Sequence, residues 1–379
     1  MRMIPLAVPN LVGNEARYLQ ECIETTFVSS VGPFVSRFEE MVAAAAGNRS
    51  AVATSAGTTG LHAALVAVGV QRNDLVILQS MTFIASANAI SHCGASPWLV
   101  DIDTDSWTLD PEALRRLLQG ETARRNRILI HRSSGRRIAA IMPVYTLGMP
   151  ARMDELVAVA REFEVPIVAD AAAALGATYK GRPVGDLGAD LSVFSFNGNK
   201  TVTAGGGGIV AGNDESLVQR VRHLTTTARC GMEYDHDMVG FNYRMTNLQA
   251  AVGCAQMEQL ERFVETKRRI ARRYSDAFRG YPVGEFPSPA HASGACWFAG
   301  VTVSEPKVPD IIPMLRAREV DARPFWKPIH LQVPYARVPR TPLPISDALW
   351  PTILTLPCST GLTDDQQEAV ITAVKTCIR

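Results

Sequence analysis

No stretch of the 379-residue sequence is apolar for the roughly 20 residues that a membrane-spanning helix needs, so an integral membrane protein is not expected. Charge of one sign is also missing. Lys and Arg number 38 against 37 Asp and Glu, a net charge of +1, and no global field draws the chain to nucleic acid or an anionic surface. Cysteine is sparse. The seven are scattered, odd in number and contain no CxxC pair, which argues against a disulfide frame or a zinc site and for reduced thiols. The opening "MRMIPLAVPN" lacks the apolar core of a signal peptide, so a cytoplasmic protein is expected. Internal repeats and low-complexity linkers are absent too.

What remains is an ordinary globular composition, 47% hydrophobic and 20% charged, long enough for a large core and two domains. Between about residues 50 and 212, short apolar runs alternate with helix-like segments. "LVIL" (75–78), "SPWLVDID" (96–103), "RIAAIMPV" (137–144), "VPIVAD" (165–170) and "DLSVFSF" (190–196) read as buried strands. "TTGLHAALVAVG" (58–69) and "ARMDELVAVAREFE" (151–164) read as helices. Such alternation predicts an α/β fold, a mostly parallel sheet covered by helices on both faces, with ligands at the carboxyl ends of the strands. One long helix is expected over about 246–278. A smaller α+β domain follows, so residues 1–250 and 251–379 are the expected domains. The basic piece at 124–137 reads as a solvated hairpin with a turn at Ser133–Gly135, and no nucleic-acid partner is expected.

Three motifs carry chemistry. In "SAGTTGLHAAL", small and hydroxylated residues precede a helix, so free N–H groups, Thr58 and Thr59 can receive a phosphate. In "VPIVADAAAALGA", Asp170 ends an apolar strand, where a carboxylate is costly without a partner. In "SFNGNKTVTAGGGG", Lys200 sits among small residues, with Ser195 upstream and four glycines downstream. A partly desolvated lysine has a lowered pKa and can attack a carbonyl as the free amine. Singly, each motif is satisfied by a helix cap or a strand end. Together they ask for one ligand with a phosphate, an aldehyde and a ring nitrogen that prefers to be protonated. Pyridoxal phosphate has all three. Phe83, just after a strand, is placed to stack on its ring. No metal site is indicated.

The order of motifs resembles the DegT/StrS family of sugar aminotransferases, which share the aspartate-aminotransferase fold (pyridoxal-phosphate fold type I). The resemblance runs over nearly the whole chain and is most specific at "FNGNK", "GFNYRMTNLQAAVG" and "RPFWKPIHLQ". It implies that Lys200 holds the cofactor as a Schiff base and moves the proton, and that Asp170 pairs with the ring nitrogen. Thr58, Thr59 and Ser195 hold the phosphate, and Phe83 stacks. Asn242 reaches the phosphate in the neighbouring subunit of a homodimer with shared active sites. Ser29, Ser30, Arg323, Trp326, Lys327 and His330 line the sugar-nucleotide pocket. The implied substrates are a glutamate donor and a nucleotide sugar. The sequence looks most like the branch that aminates UDP-linked 4-keto-6-deoxy-N-acetylhexosamines at C4. The alternatives are a GDP-4-keto-6-deoxymannose 4-aminotransferase and a 3-keto-sugar enzyme. The chain departs from the family pattern at Ala173, where Glu or Gln is usual, at Tyr145 and Leu147 in "PVYTLG", where relatives often read "PVHLYG", and at Phe27, where tryptophan is common. A histidine in place of Lys200 would point to sugar dehydratases instead.

Overall fold

The computed structural model describes residues 3–378. Its main sheet uses β1 (Ser50–Thr54), β2 (Leu75–Gln79), β3 (Ser96–Val100), β4 (Ile138–Met142), β5 (Val168–Asp170), β6 (Leu191–Ser195) and β7 (Gly208–Gly212). The order is β3-β2-β4-β5-β6-β7-β1. The pairs β2–β3, β2–β4 and β5–β6 are parallel, and parallel bridges at Ile141–Ile167 and Val144–Asp170 join β4 to β5. Only β7 runs against its neighbours, β6 and β1. Every residue of β2 and β4 is buried, as expected of strands covered on both faces.

The covering helices explain the placement of the motifs. Helix α1 (Glu15–Glu24) and helix α2 (Pro33–Ala46) precede the sheet, α3 (Gly57–Ala67) follows β1, and α4 (Ile84–His92) follows β2. Helix α3 is buried almost all round, so its composition is apolar without a marked stripe. Phe38 of α2 is fully buried and meets Phe196 edge to face at 4.7 Å between centroids. The helix packed against it, α5 (Asn247–Met257), can come close because Gly253 has no side chain; a Cβ there would lie 2.6 Å from the Phe38 ring.

The single helix expected over 246–278 is two. Helix α5 ends at Met257 and α6 (Leu260–Phe278) begins after a tight turn in which Gln259 N–H donates to Gln256 O. Neither Gly nor Pro marks the break. Glu258 is instead held there by Tyr18, Asn14 and Arg37, whose hydroxyl, amide and guanidinium all donate to its carboxylate. The basic hairpin exists, pairing Thr122–Arg125 with Ile128–His131, but its connecting turn is at Asn126–Arg127, both at positive φ. The turn near Gly135 is a second one.

A second antiparallel sheet carries β8 (Val283–Gly284), β9 (Ala299–Val303), β10 (Arg323–Pro324) and β11 (Ile353–Leu356), in the order β8-β9-β11-β10. Helix α6 packs on it through Ile270, Tyr274 and Phe278, at the 3–4 spacing of an amphipathic helix. The N-terminal segment belongs here. Ile4 bridges Val320, and Leu6 O accepts from Cys358 N–H. No helix among the described residues is long and apolar enough to cross a membrane, and the cysteines are unpaired thiols.

Truncating Phe38 should empty the α2–α5 seam. Phe38→Ala is expected to destabilise the fold by about 3–5 kcal/mol, read as a lower denaturant midpoint at an unchanged slope.

Candidate active site

The carboxyl ends of β1, β2, β4, β5 and β6 open into one cavity of about 510 Å³, and the second sheet closes it from above. Ser55, Gly57 and Thr58 line it from the start of α3, Phe83 from the start of α4, Tyr145 to Leu147 from beyond β4, and Asp170, Ala172 and Ala173 from the end of β5. Ser195, Asn197, Asn199 and Lys200 enter from beyond β6. Leu6, Trp297, Phe298, Arg323 to Trp326 and Thr355 form the upper wall.

Helix α3 has no side-chain acceptor at its start, because the residue before it is Ala56. Its first N–H groups and its positive dipole end therefore face the cavity uncompensated, an arrangement that attracts an anion. The glycine run explains how β7 fits against this turn. Ala56 bridges Gly207, which sits at φ 112°, and a Cβ on Gly208 would lie 2.6 Å from Ala56 O. A side chain at Gly208 would push the β1–α3 turn out of place, and one at Gly207 would be strained at that φ and strike Met245.

Asp170 is 5% exposed. Its Oδ2 accepts from Ser86 Oγ at 2.7 Å and its Oδ1 from Ala172 N–H at 3.1 Å. Burial pushes this carboxyl up, while those donors and Lys200 pull it down. Burial pushes the Lys200 amine the other way, to about 8, against the attraction of Asp170. The amine lies 3.6 Å from the centroid of the Trp297 ring. Trp297 is itself pinned, its indole N–H donating to Asn199 O at 2.7 Å. A chain of aromatic contacts runs from Phe83 to Trp326 (5.2 Å), on to Trp297 (5.5 Å) and Phe298 (4.1 Å). Phe83 nonetheless keeps 49% of its surface exposed, leaving a face for a flat ligand.

Of the residues singled out in the sequence, Lys200, Asp170, Thr58, Ser195, Phe83, Arg323 and Trp326 come together here. Thr59 does not line the cavity; its hydroxyl is turned back to Ala56 and Ser55. Lys327 is exposed elsewhere. His330 is buried behind the wall, bonded to Ser80 Oγ at 2.7 Å and Asp347 Oδ1 at 2.8 Å. Ser29 uses its carbonyl to accept from Asn247 N–H. Ser30 and Asn242 line a separate open recess of about 610 Å³ with Arg229 and Arg244. Three of the altered positions, Ala173, Tyr145 and Leu147, are in the wall, whereas Phe27 is exposed and outside it. Tyr145 is fully buried, and Leu147 adopts a left-handed conformation, φ 58°. Trp297, Phe298, Leu6 and Ser86 were not foreseen. "CWFAGVTV" reads as a strand, and nothing in its residue types separates a site tryptophan from a core one.

The chain matches the DegT/DnrJ/EryC1/StrS aminotransferase family over residues 9–375. It belongs to that family. It is 37% identical to GDP-perosamine synthase of Caulobacter vibrioides (strain ATCC 19089 / CIP 103742 / CB 15), covering 98% of this chain and 97% of that one. It is 35% identical to the putative pyridoxal phosphate-dependent aminotransferase EpsN of Bacillus subtilis (strain 168), covering 98% and 94%. Among solved structures, DesV of S. venezuelae superposes with a TM-score of 0.86 at 28% identity, covering 96% and 94%. The fold is the fold type I expected from the sequence, and the chain is a pyridoxal-phosphate-dependent sugar aminotransferase.

The Lys200 amine becomes free as pH rises through about 8. Capture of pyridoxal phosphate by the cofactor-free protein should therefore speed up through that pH, followed by stopped-flow absorbance, and Lys200→Arg should abolish covalent capture. A rate independent of pH between 6 and 10 would count against the free amine as the attacking group.

Proposed function

We propose that this protein transfers an amino group from glutamate to C4 of a GDP-linked 4-keto-6-deoxyhexose. One observation carries the choice of acceptor, the near-full-length similarity at 37% identity to a GDP-perosamine synthase. Perosamine is a 4-amino-4,6-dideoxy sugar, so a synthase of its GDP form aminates the corresponding GDP-linked 4-keto sugar. The UDP-linked N-acetyl substrate favoured by the motifs has no such support, and the guanosine alternative takes its place.

The cavity suits the cofactor at each end. Thr58, Ser195 and the N–H groups of α3 offer donors for the phosphate, the Asp170 carboxylate is spare for a ring nitrogen, and Lys200 supplies the amine. When bound, pyridoxal phosphate supplies an aldehyde to carry the amine and a ring to accept electrons. The rest is done by the chain. Lys200 Nζ would hold the cofactor and, once released, would take a proton as base from the cofactor's C4′ and deliver it as acid to the sugar C4. Its lowered affinity for protons is what lets it do both near neutral pH. Asp170 keeps the ring nitrogen protonated. Phe83 and Ala172 both line the cavity and would flank the ring. Arg323 and Trp326 line the entrance toward the sugar nucleotide.

The working form in this reading is a cytoplasmic homodimer. Asn242 lies outside its own cavity, in a recess bordered by exposed Val31 and Met232, a patch suited to being covered. Asn242 then serves the cofactor phosphate of the partner subunit.

Two measurements test this. With glutamate, the purified enzyme should aminate GDP-4-keto-6-deoxymannose, seen by mass spectrometry as loss of the keto oxygen and gain of an amine. Turnover of UDP-2-acetamido-4-keto-2,6-dideoxyhexose alone would refute the acceptor assignment. Neither Lys200→Ala nor Asn242→Ala should turn over well, yet mixed dimers of the two should regain activity, because one of their two sites is intact. No recovery in verified mixed dimers would refute the shared site.

A further inference from the structure

The first turn of α4 carries more than the residue that faces the cavity. Phe83 immediately precedes the helix, and Ser86 is its third residue. Ser86 is fully buried, and its hydroxyl lies 2.7 Å from Asp170 Oδ2. Thr82, 1% exposed, places its own hydroxyl 3.0 Å from Ser86 Oγ. An ionised carboxylate can only accept, so Ser86 must donate to Asp170. The Ser86 oxygen is then left to accept from Thr82. The result is a one-way relay, Thr82 to Ser86 to Asp170, in a solvent-free setting where each bond polarises the next. Ala172 N–H satisfies the other carboxylate oxygen. Lys200 is the charged group that acts on Asp170, and it attracts without a direct bond.

We propose that Ser86 is a positioning residue for amine transfer, its hydroxyl fixing the Asp170 carboxylate in the orientation and charge state that keep the cofactor's ring nitrogen protonated. This rests on the role given to Asp170 above. One short helical turn then controls the ring twice. Phe83 sets its face, and Ser86 sets its electronic state through Asp170. Without the hydroxyl, one carboxylate oxygen is buried with no donor, and the neutral acid becomes the favoured form. A neutral acid does not hold a proton on the ring nitrogen, and the ring loses its pull on electrons.

The test compares the wild type, Ser86→Ala, Ser86→Thr and Asp170→Asn as cofactor-loaded enzymes carrying pyridoxal phosphate labelled with ¹⁵N in the ring. In the wild type the nitrogen signal should be that of a protonated ring. In Ser86→Ala it should move toward the neutral form. The pH midpoint of the bound cofactor's visible absorbance should rise, because a positive charge has left the ring beside the lysine-linked nitrogen. Amine transfer should slow about ten- to a hundredfold, the effect of losing a hydrogen bond to a charged group, with KM for the sugar little changed. Ser86→Thr should restore all three. A wild-type nitrogen signal and midpoint in Ser86→Ala overturn the proposal, and so does weaker cofactor binding with the ring still protonated. Asp170→Asn separates the two levels. If it leaves the ring protonated, the role of Asp170 itself fails. If it removes the proton while Ser86→Ala does not, only the role of Ser86 fails.

Discussion

A carboxylate at the end of a buried strand has to stay charged without a cation in contact. Much of the site follows from that demand. Asp170 receives two neutral donors, one from helix α4 and one from its own chain. Lys200 answers it across the cavity, and the same desolvation that burdens the acid lowers the affinity of the amine for its proton. Opposite shifts in two facing groups are what a proton-moving site requires. Neither shift would survive if water filled the space between the strand ends, so the second sheet and its aromatic wall are part of the electrostatics as well as of the shape.

The wall and the floor are tied together at few points. Trp297 touches Lys200 with its ring, Asn199 with its indole N–H and Lys267 with its carbonyl. Lys267 is itself buried, so α6 contributes a charged side chain whose task is to hold the backbone carbonyl of Trp297. On the floor, the glycines after Lys200 bring β7 against the start of α3, which holds the helix N-terminus open toward the cavity.

Much of this was legible in the sequence, for definite reasons. Apolar runs such as "LVIL" and "IAAIM" are continuous because both faces are covered, and the residues just beyond them, Phe83, Asp170 and Ser195, are the ones that reach the cavity. Position after a strand was therefore a usable signal. It failed where the chain has no such landmark. "RPFWKPIHLQ" contributes Arg323 and Trp326, yet His330 turns behind the wall to Ser80, because a two-sided hydrogen bond can bury a histidine as well as a ligand can. The end of α5 was invisible because Glu258 is held by residues more than 200 positions away. Ser86 reads as one more small helix residue until Asp170 is seen beside it. The nucleotide of the acceptor is a matter of contacts, not of residue types, and the motifs alone do not decide between a UDP-linked and a GDP-linked sugar for that reason.

The placement of Leu6 has a consequence for how the enzyme is made. It lines the cavity, and the segment around it is anchored by Val320 and by Cys358 N–H. The segment around Leu6 thus has no place to bind until Val320 and Cys358 are in position. The main sheet can assemble while synthesis continues, since β1 to β7 span residues 50 to 212. The chamber at the strand ends cannot. Until residues 320–358 are in position the strand-end crevice around Lys200 lacks its upper wall, and the chamber closes only when the segment around Leu6 meets them.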